Sequence, residues 1–179
     1  VSYITITAHA PILEYLDYEI SDPTGNNNGK LDPGETVELI ITIKNSGSSV
    51  AYNVLGVLTE ADPFVTLNTS QVSLGNITGG SEAYAVYYMS AAENTPAGHL
   101  ADLTLTLNAD LGITGTGELE VIIGQIPVLI LDLDGNSNSA PDMEEALNTI
   151  DIAFETLTSF PPDLNLYSTI FLCLGVFSQ

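Results

Sequence analysis

The sequence predicts a mainly β protein, with an antiparallel β-sandwich over residues 11–124 followed by an incomplete α/β segment over 125–179. Three observations predict it. Residues 1–124 alternate apolar and polar side chains at period 2, as strands with one buried face do. Short clusters of Gly, Asn, Ser and Pro interrupt that alternation at strand-length intervals, with no helical stretch between them. Near residue 125 the alternation gives way to a continuous apolar run, as in a strand buried on both faces.

The elements follow in order. Residues 1–10 read as the last strand of a preceding domain, or as a strand donated to a neighbouring chain. In TVELIITIKN, Val37, Leu39, Ile41 and Ile43 face a core while Thr36, Glu38, Thr42 and Lys44 face outward. Similar runs lie at 50–60, 81–90 and 115–123, and in HLADLTLTLN Leu103, Leu105 and Leu107 alternate with Thr104 and Thr106. Asn45-Ser46-Gly47, Gly79-Gly80 and Thr95-Pro96-Ala97-Gly98 act as breakers. Beyond 125, PVLILD (127–132) is a buried strand, and a Gly/Asn/Ser loop follows it. A helix then carries Met143, Leu147, Ile150 and Phe154 on one stripe. Ser139 and Asp142 have the spacing of a capping box. A second apolar run spans Thr169 to Val176 and closes a strand–helix–strand unit, which reads as a truncated domain. HAPILEYLDYEISD (9–22) and QIPVLILDLDGNS (125–137) echo one another, each placing a Pro before a new apolar run. A tandem array cut from a longer chain has that form. The start at Val1, without Met or a signal peptide, points the same way.

Charge restricts the function classes. The chain has 23 acidic residues against two basic ones, Lys30 and Lys44, for a formal net charge of −21. Nucleic acid binding needs cations to neutralise phosphates, so it is excluded as a partner class. Anionic membrane surfaces and phosphorylated substrates are disfavoured for the same reason. No apolar run reaches the length of a membrane-spanning helix, so membrane insertion is not expected. A single cysteine, Cys173, rules out an internal disulfide framework. That suits a prokaryotic exterior better than a disulfide-rich animal ectodomain. Asn68-Thr69-Ser70 and Asn76-Ile77-Thr78 are N-glycosylation sequons, which only permit an exterior location.

The strongest chemical motif is Asp22-Pro-Thr-Gly-Asn-Asn-Asn-Gly-Lys-Leu-Asp-Pro-Gly-Glu35. Set against a twelve-residue EF-hand loop, Gly29 takes the sharp-turn position. Asn26 and Asn28 take ligand positions three and five, Lys30 the backbone-carbonyl position, Asp32 position nine and Glu35 the bidentate position twelve. Calcium requires six to eight hard oxygens from a tightly curled loop, and Asx residues at every second position supply them. Thr24 stands where position one needs an acid, and Asp22 reaches in from two residues earlier. The metal site read from the sequence is therefore Asp22, Asn26, Asn28, Lys30, Asp32 and Glu35, with calcium as the cofactor. The competing reading is a Gly/Asn-rich turn held by Asx-turns without metal. No EF-hand helices flank the loop, so a stabilising ion is expected rather than a conformational sensor.

On NNNGKLDPGETVELIITIKNSGSSVAYNV (26–54) and TPAGHLADLTLTL (95–107), the chain resembles Ig-like, adhesion-type modules of large secreted bacterial and archaeal proteins. Some of those proteins carry a gingipain-type cysteine peptidase. The resemblance covers about 11–124 and implies an Ig-like sandwich with a spacer or adhesion role, outside any peptidase domain.

Other motifs invite catalytic readings. VLILDLDGN (128–136) resembles the first motif of haloacid-dehalogenase-type phosphotransferases, which would make Asp132 nucleophile and Asp134 acid/base. No lysine follows position 44 to hold a phosphoryl group, and aspartates capping a strand end explain the motif more simply. His9 and Cys173 suggest a cysteine-protease dyad, yet Cys173 sits inside TIFLCLGVF, read as the interior of a buried strand, where a free Cys is usually a small hydrophobe. His99 reads as a surface residue at a strand start. Tyr84, Tyr87 and Tyr88 read as sandwich packing in preference to a carbohydrate platform. The expectation is a non-enzymatic, extracellular or cell-surface structural or adhesive module, stabilised by calcium. Its partners are neighbouring domains of the same parent protein, and self-association through residues 1–10 is a second mode open to it. An accessory fragment of a secreted gingipain-like peptidase and a surface-fibre subunit are the alternatives.

Overall fold

The computed structural model describes residues 9–134, 139–150 and 152–174. The expectation for residues 1–10 falls almost wholly on 1–8, outside the described residues. Only His9 and Ala10 are seen. The Ala10 carbonyl accepts from the Ser48 N–H at 3.0 Å, and His9 Nδ1 lies 2.9 Å from Ser48 Oγ.

Eight strands build the sandwich: β1 (Leu13–Ser21), β2 (Thr36–Asn45), β3 (Ala51–Glu60), β4 (Val65–Leu67), β5 (Gln71–Ile77), β6 (Glu82–Ala91), β7 (His99–Ala109) and β8 (Ile113–Ile123). They form two antiparallel sheets, ordered β1-β2-β6-β4 and β5-β3-β7-β8. With β1, β2 and β6 as A, B and E, and β3, β7 and β8 as C, F and G, this is the ABE/CFG arrangement of an Ig-like sandwich. The two extra strands divide between the sheets: β4 lies beside β6, and β5 returns beside β3.

The alternation predicted from sequence decides which residues fill the space between the sheets. Val37, Leu39, Ile41 and Ile43 from β2 are buried together with Leu103, Leu105 and Leu107 from β7. Apolar burial of this kind, worth about 25 cal/mol per Å², holds the two sheets face to face. Where the sandwich edges meet, β8 carries glycines against β1. A Cβ at Gly115 would stand 2.4 Å from the Leu13 carbonyl oxygen, and one at Gly117 would stand 2.5 Å from the Tyr15 Cβ.

Asn45, read from sequence only as part of a turn, is a fully buried clamp. Its Oδ1 accepts from the N–H groups of Ile12 (3.0 Å) and Gly47 (3.1 Å). Its Nδ2 donates to the carbonyls of Ser49 (2.7 Å) and Ile77 (2.9 Å). All four of its hydrogen-bonding positions are filled, which is what makes a buried amide tolerable.

The second unit is a parallel sheet ordered β10-β9-β11, with β9 (Ile126–Asp132) in the centre, β10 (Phe154–Leu157) and β11 (Tyr167–Cys173). Helix α1 (Ala140–Thr149) packs Ala140 and Leu147 against Val128, Ile130 and Cys173. As its unbroken apolar run requires, β9 is buried from Val128 to Asp132. Four expectations need correction. The helix stops at Thr149, leaving Ile150 61% exposed, and Phe154 belongs to a strand missed in the sequence, because pairing with the free edge of β9 replaces a last helical turn. The capping box does not form: Ser139 has helical dihedrals (φ −91°, ψ −38°) and makes no side-chain cap bond. The second apolar run is an edge strand, exposed from Ser168 to Leu172, and its predicted continuation at Gly175 and Val176 lies outside the described residues. The echoing segments 9–22 and 125–137 also take different roles, β1 at an antiparallel edge and β9 at a parallel centre.

Candidate functional site

The loop between β1 and β2 gathers the predicted residues around Asp22, Asp32 and Glu35. Asp22, at the end of β1, is only 2% exposed. Its Oδ1 accepts from the Gly29 N–H at 2.9 Å and its Oδ2 from the Asn28 N–H at 3.0 Å. Gly29 turns there with φ +75°, a left-handed conformation that suits glycine. Asp22 therefore holds the sharp turn from outside the twelve-residue frame, where Thr24 has no carboxylate to offer. Burial pushes the Asp22 carboxyl upward, but N–H groups of Gly29, Asn28, Asp22 itself and Asn27 outweigh it and hold the pKa below its ordinary 3.8. Each Asp22 oxygen keeps lone-pair capacity beyond these bonds.

Asn26 and Asn28 each close an Asx-turn: Asn26 Oδ1 accepts from the Asn28 N–H (3.0 Å) and Asn28 Oδ1 from the Lys30 N–H (2.8 Å). Both amide nitrogens, Asn26 Nδ2 and Asn28 Nδ2, donate to Asp32 Oδ2 at 2.7 Å. Glu35 Oε1 accepts from the Asn26 N–H at 3.1 Å, and Glu35 Oε2 lies 3.4 Å from the Asp32 N. Gly25 leaves room for this carboxylate, since a Cβ there would stand 2.7 Å from Glu35 Oε1. Lys30 is half-buried, and it lines a cleft with Tyr18, Ile20, Ile122, Gln125 and Asn165.

Leu31, wholly buried, pins the loop into the core. It forms a parallel bridge to Ile123, and its carbonyl accepts from the Gly124 N–H at 2.8 Å, where β8 passes to β9.

The donor set is chemically suited to a hard cation, with three carboxylates and two carboxamides joined by mutual hydrogen bonds. Among the described residues, no three His, Cys, Asp or Glu side chains form a metal cluster by themselves. An ion here would need the Asn26 and Asn28 oxygens and backbone carbonyls to complete its shell. The two amide N–H groups now directed at Asp32 would have to turn away. The Asx-turns of the metal-free reading are present as well.

The other candidates lie elsewhere. Asp132 ends β9, 6% exposed and in register with Cys173, and the Asp134 N lies 3.4 Å from its Oδ1. Burial, reinforced by Asp132 and Asp134, pushes the Cys173 thiol up, away from the thiolate a nucleophile requires. His9 bonds Ser48 beside the sandwich, so the structure gives the two members of the imagined dyad unrelated neighbours. His99 is more than a surface residue: its Nε2 meets Asp62 Oδ2 at 2.7 Å, and its ring packs edge-on against Phe64 at 4.9 Å. No pattern in the sequence marks that pair, 37 residues apart in the chain. Of the three tyrosines read as packing, only Tyr87 is buried, while Tyr84 (63% exposed) and Tyr88 (44%) stand on the outer face. In both sequons the asparagine is exposed with its Oδ1 engaged, Asn68 by Ser90 Oγ and Asn76 by the Asn53 N–H.

No protein-family model and no curated protein matches the sequence. Among solved structures, a conjugative transposon lipoprotein from Bacteroides eggerthii is similar at 11% identity over 62% of this chain and 95% of that one, with a TM-score of 0.37. A cohesin module of a Clostridium perfringens family 33 glycoside hydrolase shares 14% identity over 65% and 98%, with a TM-score of 0.36. The archaellum periplasmic stator complex FlaF and FlaG from Sulfolobus acidocaldarius shares 14% identity over 66% and 100%, with a TM-score of 0.34. Likeness at this level carries no argument about activity or partner. Among the described residues, no helix is long and apolar enough to cross a membrane.

Proposed function

We propose that this chain is a non-catalytic structural or adhesive module of a larger extracellular or cell-surface protein, stabilised by calcium in the 22–35 loop. The observation that carries this reading is the loop itself. It gathers oxygen donors from Asp22 to Glu35 on a turn pinned to the core by Leu31. Asp22, Asn26, Asn28, the Lys30 carbonyl, Asp32 and Glu35 would hold the ion. The ion would supply positive charge among three carboxylates that otherwise repel one another. An affinity on the order of 10⁻⁴–10⁻³ M is typical of extracellular modules. The resemblance of 26–54 and 95–107 to secreted adhesion-type modules supports the location. It also allows a parent with a gingipain-type peptidase, for which this module would be an accessory piece.

The test is a thermal melt in calcium and in chelator. Because the ion binds only the folded loop, wild type gains about 2.7 kcal/mol when free calcium is a hundredfold above Kd. Glu35→Gln loses most of that gain, whereas Lys30→Ala, which keeps the carbonyl, retains it. Identical wild-type midpoints in the two buffers would reject calcium and leave the turn reading.

A further inference from the structure

The outer face of the first sheet differs from that of β7 and β8. Its strands bring outward residues into rows: Asp17–Thr42–Tyr84, Glu19–Ile40–Val86 and Ser21–Glu38–Tyr88. Tyr84 and Tyr88 lie four residues apart on β6, about 13 Å along the strand, with half-exposed Val86 between them and Ile40 alongside. The Tyr88 hydroxyl donates to Glu38 Oε1 at 3.0 Å, holding that ring beside a carboxylate. Acidic groups Glu14, Asp17, Glu19, Glu38 and Glu82 border the rings. The one cation of this face, Lys44, is 3.6 Å from Glu82. By contrast, β7 and β8 point Thr104, Thr106, Thr114 and Thr116 outward with acidic residues and contain no tyrosine.

We propose that this face docks an extended cationic polypeptide segment, whose Lys or Arg side chains lie over Tyr84 and Tyr88 and pair with the bordering carboxylates. Exposed aromatic rings attract cations through their negative faces, and flanking carboxylates add to that field. Residues alternating along an extended segment repeat about every 6.6 Å, which matches the two-residue spacing of the rows. A second copy of this chain does not fit, because two bodies of charge −21, each with only Lys30 and Lys44 as cations, repel one another. The proposal does not depend on calcium.

The experiment titrates the whole chain with an alternating Arg-Ser octapeptide and its Gln-Ser counterpart, at an ionic strength of about 0.15 M. Isothermal titration calorimetry reports binding, a readout that does not depend on the tyrosines the variants remove. Binding of the Arg peptide alone is expected. Tyr84→Ala/Tyr88→Ala weakens it about five- to thirtyfold, from two exposed cation–π contacts. Asp17→Asn/Glu19→Gln weakens it more than Glu118→Gln/Glu120→Gln, which removes the same charge from the opposite sheet. No binding, equal losses from the two neutralised pairs, or no loss on removing the tyrosines would each overturn the proposal. So would binding of a neutral oligosaccharide through Tyr84 and Tyr88 with the Arg peptide inert.

Discussion

Tyr87 and Gly56 make a pair that sequence distance hides and the sandwich brings together. Tyr87 points inward from β6, wholly buried, and among the described residues its hydroxyl has no hydrogen-bond partner. Burial alone pushes its pKa up to about 12. That oxygen occupies the space where Gly56 lacks a side chain: a Cβ on Gly56 would stand 2.4 Å from it, while its next neighbours, Leu105 and Leu107, are at an ordinary 3.7 Å. Leaving a buried hydroxyl unpaired costs about 1–3 kcal/mol. Tyr87→Phe is therefore expected to stabilise the fold by about 1 kcal/mol, raising Tm by roughly 2–4 °C for a chain of this size. Gly56→Ala alone drives its methyl into the oxygen and destabilises by about 1–3 kcal/mol, as overpacking does. Once Tyr87→Phe has removed that oxygen the clash is gone, and the alanine should be neutral or better, since glycine within a strand carries an entropic cost. The double-mutant cycle, read by urea unfolding at a common m-value, should give a coupling of about 2 kcal/mol. Additive effects of the two substitutions would refute the packing argument, and so would a Tyr87→Phe variant less stable than wild type.

Two further outcomes follow from buried polar groups. Asn45→Ala leaves two backbone N–H groups and two carbonyls without their partner, and should destabilise by about 2–4 kcal/mol in the same unfolding assay. A change below about 0.5 kcal/mol would mean that the clamp is redundant. Asp62 concerns pH. Burial pushes its carboxyl up, but the Phe64 N–H and His99 hold the pKa below 3.8 overall. A carboxyl whose folded pKa is depressed contributes stability above its unfolded pKa of about 3.9 and loses it as pH falls through the lower folded value. Asp62→Asn should therefore be less stable than wild type at neutral pH, by about 1 kcal/mol. The gap should close below about pH 4, and a gap independent of pH would sink the assignment.

The face of each sandwich strand was legible from sequence because side chains alternate strictly along a strand, so Leu39, Ile41 and Leu105 declare their burial by position alone. The turns of the 22–35 loop were legible for a similar reason, since Asn26 and Asn28, two residues apart, close successive Asx-turns. What period and spacing cannot encode is which partner an element meets. Phe154 continues a helical stripe in sequence, yet the open edge of β9 draws it into a strand. Period 2 sets Tyr84 and Tyr88 on the face opposite Tyr87, but which of those faces meets the second sheet is settled only by the packing of β6. Asp22 shows the division most plainly. Its acidity is a property of the sequence, whereas its grip on Gly29 exists only because the end of β1 lies over that turn. Contacts of that kind depend on where packed sheets bring distant backbone together, and only the tertiary structure decides that.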